Sequence, residues 1–137
     1  MKIDPRRIPL PAPESTALQL TAARTAIAAT VMAAPVLSTR FFGADAATAH
    51  RVEWLTRMTA VRDGALGVGG LLAARRGGAA AVPWIVGGAV SDAVDAVVIA
   101  QALRQGRVKG VVRAAIVPMG AAAAVVGAVT ALRLRRR

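Results

Sequence analysis

The segment from Pro83 to Leu103 constrains the fold more than any other part of the chain, because it combines the composition of a membrane span with two charged side chains. A helix needs about 20 mostly apolar residues to cross a bilayer, and this segment is of that length. Asp92 and Asp95 lie near its middle, three residues apart, so they share one helix face. An unpaired charge at the bilayer centre costs about 2.5–3.5 kcal/mol in insertion experiments. The rest of the chain must therefore supply partners for both carboxylates.

The overall composition favours an all-α protein that crosses the membrane several times. The chain has 137 residues, of which 55% are hydrophobic and only 3% aromatic, and its mean hydropathy is +0.53. Small residues such as Ala and Gly allow the close backbone approach that drives helix association in lipid. We therefore predict an all-α fold, a polytopic transmembrane bundle of about four helices with the lipid bilayer as its solvent.

The chain is strongly basic, with 18 Lys and Arg residues against 7 Asp and Glu residues and a net charge of +11. The basic residues form short clusters between long uncharged segments, as loops at the ends of membrane helices do. We expect these loops to face the headgroups and to bind anionic lipid. No nucleic-acid partner is expected, although a soluble helical nucleic-acid-binding protein remains an alternative that the charge alone supports.

Four apolar segments are candidates for membrane spans. Before them, residues 1–15 are polar and rich in proline, which predicts a disordered cytoplasmic tail. Ser15 or Thr16 is expected to cap the first helix. Arg24 interrupts that helix and leaves only a short apolar part, so a three-span fold with an interfacial first helix stays open. The predicted transmembrane domain covers residues 16–137, with spans at residues 16–38, 56–74, 80–103 and 111–132.

The segments between the spans predict the orientation of the chain. Residues 39–55 form a connector, within which residues 44–55 predict a short interfacial helix with Asp45 near its start. The basic turn at Arg75 and Arg76 lies on the same side as both termini, and its positive charge favours the cytoplasmic face. We predict a multi-pass protein of the bacterial inner membrane with both termini in the cytoplasm.

A second polar pair lies on the preceding span at a matching height. The short glycine turn between the second and third spans makes them antiparallel neighbours. Counting outward from this turn places Arg62 level with Ala93 and Asp63 level with Asp92. Arg62 is then the natural counter-ion for Asp92 and Asp95. The candidate cluster has four principal members and two lesser ones: Arg62, Asp63, Asp92 and Asp95, with Arg57 and Ser91.

The cluster has two interpretations. In the structural one, its ion pairs fix the pairing and register of two helices, and the protein is an accessory component of the membrane. Such a component would act as a homo-oligomer or within a larger membrane complex. In the functional one, the cluster binds a proton, a cation or a polar headgroup, and the protein is a small transporter or proton-coupled module. We prefer the structural interpretation.

The sequence gives no reason to expect an enzyme, a catalytic residue, a metal site or a cofactor. It contains no cysteine and one histidine, His50. A metal or catalytic site needs several convergent groups. The glycine-rich residues 64–70 lack the strand and the spacing of a dinucleotide-binding motif. We interpret these glycines as contacts between helices, and we expect Gly87 and Gly88 to face the segment Gly67–Gly70.

The charged positions also have a familiar arrangement. An Arg-Asp-x-x-x-Gly motif begins at Arg62 in the second span, an Asp-x-x-Asp motif begins at Asp92 in the third, and Pro35 ends the first. With Arg57 preceding the first motif, the chain resembles a family of small bacterial four-helix integral membrane proteins of unknown function over about residues 22–132. The resemblance implies the four-span fold and the placement of the charged residues, and it implies no reaction.

Overall fold

The computed structural model describes residues 11–107 and 113–136, and within these ranges all regular structure is α-helical. The all-α prediction is therefore confirmed. The first ten residues of the predicted tail and the start of the last predicted span, residues 111–112, lie outside the described residues. Six helices occupy the described ranges: α1 (Pro13–Ala33), α2 (Pro35–Phe41), α3 (Ala46–Arg51), α4 (Glu53–Arg76), α5 (Gly78–Arg104) and α6 (Arg113–Arg135).

The first predicted span, residues 16–38, is not one continuous helix. α1 ends at Ala33, α2 begins at Pro35, and the two helices are bent by 108° relative to each other. Proline disfavours the helical conformation in the residue before it, and Ala34 has the non-helical angles φ −136° and ψ 60°. The prediction of an unbroken helix across Pro35 is wrong, because the proline begins a new helix instead of ending the first.

α1 begins earlier than predicted. Pro13 occupies its first turn, where the missing amide has no cost because the first amides of a helix have no intrahelical partner. The hydroxyls of Ser15 and Thr16 donate to the carbonyl of Ala12 at 2.8 and 3.2 Å, so neither residue caps the helix as predicted. The end of the predicted tail is therefore helical.

A short helix lies in the predicted connector. Asp45 caps α3, because its carboxylate accepts a hydrogen bond from the Thr48 amide at 2.8 Å. The helix ends at Arg51, before the predicted end at Leu55. At Val52 the backbone turns, with φ −103° and ψ 9°, and α4 starts at the next residue.

The four long helices pack side by side, with α1 and α5 each in contact with both α4 and α6. The α4–α5 turn contains Gly77, whose φ of 135° is a backbone angle that residues other than glycine rarely adopt. A buried apolar core joins this end of α5 to the start of α1 and the end of α6: Ala17, Ala81, Val82, Ile85, Ala131 and Leu134. The described termini and the α4–α5 turn therefore lie at one end of the molecule.

Small residues bring neighbouring helices close together. A Cβ atom on Gly127 of α6 would lie 3.0 Å from the Cβ of Ala89 on α5. A Cβ on Gly67 of α4 would lie 2.8 Å from the backbone nitrogen of Thr25 on α1. The predicted contact between the glycines of α4 and α5 is therefore wrong at Gly67, which faces α1.

Among the described residues, two helices are long and apolar enough to cross a membrane: α5 and the part of α6 from Ala115 to Arg135. The bent pair of α1 and α2 adds a third if the pair forms one broken span. α4 is also long, but every window of 18 residues within it contains at least three charged side chains. The apolar helices indicate a membrane protein, and α4 can cross a bilayer only where other helices provide partners for its charges.

Candidate functional site

Five charged side chains from three helices meet near the middle of those helices. They form a continuous series of ion pairs in the order Asp92, Arg24, Asp63, Arg62, Asp95. We call this series the charge network. Its signs alternate, so every member contacts a residue of opposite charge. The series starts on α5, passes through α1 and α4, and returns to α5.

Arg24 connects α1 to two other helices. Its Nη1 atom donates to Asp63 Oδ1 on α4 at 3.1 Å, and its Nη2 atom donates to Asp92 Oδ2 on α5 at 2.5 Å. Nη2 also lies 3.3 Å from the carbonyl oxygen of Gly88. A Cβ at Gly88 would come within 3.2 Å of this nitrogen, so the glycine leaves room for the guanidinium group. Arg24 and Asp92 are each 18% exposed.

Arg62 connects α4 to α5 at the other end of the series. Its two terminal nitrogens contact both carboxylate oxygens of Asp95, at 3.3 and 2.6 Å, and its Nε atom contacts Asp63 Oδ1 at 3.2 Å. Such a two-point contact fixes the orientation of both side chains as well as their separation. This pair is more open than the Arg24 pairs, because the side chains of Arg62 and Asp95 are 40% and 41% exposed.

The structure brings together all four principal residues that the sequence predicts, with one change of partner. Arg62 binds Asp95, as expected, but Asp92 binds Arg24 instead of Arg62. The sequence predicts that Asp63 and Asp92 lie at the same height along their helices. Arg24 contacts both of them. Sequence reasoning missed this arginine as a member of the site.

The two lesser candidates lie outside the charge network. Arg57 pairs with Glu53 on its own helix at 2.7 Å and donates to the carbonyl of Met32 at 3.4 Å, so it connects the start of α4 to the end of α1. Ser91 is buried on α5, and its hydroxyl has no hydrogen-bond partner among the described residues. It lies one turn before Asp95 on the same helix face.

A cavity of about 240 Å³ lies beside the charge network, with wall residues from all four long helices. Arg24, Asp63 and Asp92 form the charged part of the wall, whereas Arg62 and Asp95 do not line it. Apolar side chains form most of the remainder, including Trp84. The charges in the wall sum to −1, since one guanidinium faces two carboxylates.

The charge network contains one carboxylate more than it contains guanidinium groups. With all five side chains ionised, two positive and three negative charges sum to −1. Binding of one proton or one monovalent cation would neutralise this charge, and surroundings of low dielectric constant favour neutrality. The described residues contain no group of three or more histidine, cysteine or acidic side chains arranged to hold a metal ion.

The geometry supports two kinds of role for this site. The ion pairs hold α1, α4 and α5 together, and the cavity exposes two of the carboxylates to a largely apolar space. Comparison of the chain with protein-family models, with curated proteins and with solved structures gives no match.

Proposed function

We propose that this chain is a small non-enzymatic integral membrane protein that serves as an accessory component of a membrane assembly. In this proposal α1, α4, α5 and α6 are four spans of a bacterial inner membrane, and both termini lie in the cytoplasm. The partner is either a second copy of the chain or another membrane protein. Membership in the small four-helix family, which the sequence motifs suggest, is part of the same proposal.

The charge network supports the inclusion of α4 among the spans. Arg62 and Asp63 lie in the middle of this helix, where unpaired charges would each cost about 2.5–3.5 kcal/mol in a bilayer. Both have partners on neighbouring helices, since Asp95 binds Arg62 and Arg24 binds Asp63. The charges of α4 are therefore compatible with a span that packs against α1 and α5.

The basic residues support the orientation. Arg75 and Arg76 end α4, and Arg133 and Arg135 lie in the last turn of α6 at the same end of the molecule. Clusters of arginine at helix ends favour the cytoplasmic side and attract anionic headgroups. We therefore expect anionic lipid to contact this end.

The half-exposed pair of Arg62 and Asp95 is the observation that carries the accessory role. Around it on α4 and α5 the surface is apolar, with Met58 61% and Val98 56% exposed. An ion pair whose side chains are about 40% exposed at the middle of two spans is unfavourable in contact with lipid chains. A protein partner that covers this face removes the contact with hydrocarbon.

Cysteine cross-linking in native membranes tests the accessory role. The natural chain has no cysteine, so each single-cysteine variant carries its thiol at one known position. Val98→Cys places the thiol one turn after Asp95 on the face that we propose to be covered. We expect a maleimide–benzophenone cross-linker, which requires a thiol only on this chain, to join this variant to a second copy or to another membrane protein.

Val125→Cys is the matched control, because Val125 is 62% exposed on α6, away from the Arg62–Asp95 pair. We expect it to give far less cross-linked product. Equal cross-linking of the two variants, or none with Val98→Cys, would contradict the proposed partner at this face. A species of twice the mass of the chain identifies a homo-oligomer, and any other mass identifies a larger complex.

The excess carboxylate supports a second candidate function, a proton- or cation-coupled transport module. Asp92 and Asp95 are its central residues, since they end the charge network, and Asp92 lines the cavity. Asp92→Asn and Asp95→Asn each remove one negative charge without changing side-chain size. Proton or cation flux into vesicles that depends on Asp92 supports this candidate, whereas equal flux with and without the protein contradicts it.

A further inference from the structure

We propose that the cavity beside the charge network is a binding site for a small organic monocation with an apolar body, such as an aryl- or alkylammonium ion. The proposal names the class of cation that the transport module would handle. Only the movement of this cation across the membrane depends on that second candidate function. Binding itself depends on the cavity alone.

The charge of the wall selects the sign of the ligand. Asp63 and Asp92 face Arg24 across the charged part of the wall, and their sum of −1 favours a single positive charge. Asp92 has its ion pair with Arg24 through one carboxylate oxygen, Oδ2, among the described residues. Between Ala115 and Leu132, α6 contributes no charged side chain that would oppose this preference.

The rest of the wall selects the chemical class. A metal cation such as Ca²⁺ takes about six to eight oxygen ligands, whereas only two carboxylates of the described residues line this cavity. One oxygen of each carboxylate and the Gly88 carbonyl oxygen already accept hydrogen bonds from Arg24. Most of the wall is apolar instead, with Leu66, Trp84 and Ile85 among its residues. The face of a tryptophan ring attracts ammonium groups. These features suit a cation that carries its own hydrocarbon surface.

The volume sets the size of the ligand. A protein cavity of about 150 Å³ holds benzene, so the 240 Å³ here would hold about ten non-hydrogen atoms by the same ratio. Phenyltrimethylammonium has this size and carries one positive charge. Its neutral isostere, tert-butylbenzene, has the same shape without the charge.

The fluorescence of Trp84 reports on binding. The chain has two tryptophans, so Trp54→Phe leaves Trp84 as the only one. We would titrate this full-length variant in mild detergent micelles with phenyltrimethylammonium and expect a saturable change in emission. tert-Butylbenzene should displace the cation only at concentrations at least about tenfold higher, because the charge contributes to affinity. Displacement at equal concentrations, or no saturable change, would overturn the proposal.

Two pairs of variants locate the site. Ala123 lines the cavity and Ala122 is exposed beside it on α6. Ala123→Phe should fill the cavity and weaken binding at least about tenfold, whereas Ala122→Phe should leave it unchanged. Asp92→Asn should also weaken binding about tenfold, and Glu53→Gln, which removes a carboxylate outside the charge network and the cavity, should weaken it by less than about threefold. Unchanged affinity in Ala123→Phe would place the bound cation elsewhere and contradict the proposal, even if Asp92→Asn fails to fold.

Flux measurements separate this site from the transport candidate. Saturable binding without phenyltrimethylammonium flux in vesicles supports the site and contradicts coupled transport. Proton flux without saturable binding contradicts the site and leaves the transport candidate supported.

Discussion

Arg24 connects three helices through the charge network, a role that its position in an apolar helix does not suggest. One guanidinium group binds carboxylates on two other helices, and it is only 18% exposed. Removing one member of a buried ion pair leaves the remaining charges without compensation, which costs about 3–5 kcal/mol in proteins. The stability of the packed helices should therefore depend on this one residue.

We predict that Arg24→Gln lowers the free energy of unfolding in detergent micelles by about 3 kcal/mol, because Asp92 loses its ion-pair partner. Arg40→Gln is the control, since Arg40 is exposed on α2, and we expect a change within about 0.5 kcal/mol. Unfolding followed by circular dichroism gives both values. Equal effects of the two substitutions would show that the Arg24 pairs contribute little.

Part of this site could be predicted from residue spacing. The short turn before α5 made Asp63 and Asp92 neighbours in height, and both do meet at one arginine. The identity of that arginine could not be read from the α4–α5 pair, because it lies on a helix distant in sequence. A count of charges could have identified it, because Arg62 and the three aspartates sum to −2. Of the other charged residues in the predicted spans, Arg24 lies farthest from the ends of its span.

The Asp45 carboxyl should titrate at unusually low pH. The Thr48 amide and then the Thr48 hydroxyl donate to it, both at 2.8 Å, and hold its pKa below the ordinary value. Because the folded-state pKa is depressed, the stabilisation of α3 by this cap is complete above about pH 3.9. It is lost as the pH falls through the lower folded-state value.

The carboxyl carbon shift of Asp45, followed by NMR against pH, measures this pKa. Thr48→Val keeps the amide and removes the hydroxyl, so we expect the pKa to rise partway toward its ordinary value. A midpoint at or above the ordinary value in the natural chain would contradict the observed hydrogen bonds.

At the scale of helices, α1 and α4 depend on a glycine for their close approach. A Cβ at Gly67 would lie 2.8 Å from the Thr25 backbone nitrogen, whereas one at Gly64 would lie 3.6 Å from Ala28 Cβ, an ordinary contact. We predict that Gly67→Ala destabilises the fold by about 1–3 kcal/mol through overpacking. Gly64→Ala should be neutral or slightly stabilising, and equal tolerance of both substitutions in thermal unfolding would contradict the packing of α4 on α1.

The bend after α1 shows what hydropathy alone does not predict. Residues 16–38 are apolar enough for a single span, and hydropathy does not distinguish a straight helix from a broken one. Pro35 indicates the break locally, because it restricts the backbone conformation of Ala34 and has no amide hydrogen to continue the hydrogen bonds of α1. The direction of α2 depends instead on its packing against α3 and α4, which are contacts from later in the chain.

For the whole molecule, the number of crossings can be read from three exposed positions. Ala12 and Ala79 lie at the end that holds the α4–α5 turn, and Gln105 follows α5 at the other end. We predict that Ala12→Cys and Ala79→Cys are labelled by impermeant maleimide from the cytoplasmic side only, and Gln105→Cys from the opposite side.

The alternative topologies give different results in this assay. An interfacial first helix with three spans would place Ala12 on the same side as Gln105. Labelling of all three positions from one side would contradict the membrane-spanning proposal for α5.

Both end members of the charge network belong to α5, and this has a consequence for movement within the molecule. A helix advances about 1.5 Å and turns about 100° per residue, so sliding or rotating α5 by even one residue would separate Asp92 and Asp95 from their arginines together. α6 has no such restraint, since it is uncharged between Ala115 and Leu132 and meets α5 through small residues such as Gly127. Any rigid-body displacement should therefore move α6 against a fixed frame of α1, α4 and α5, and would open or narrow the cavity from the side of Ala123.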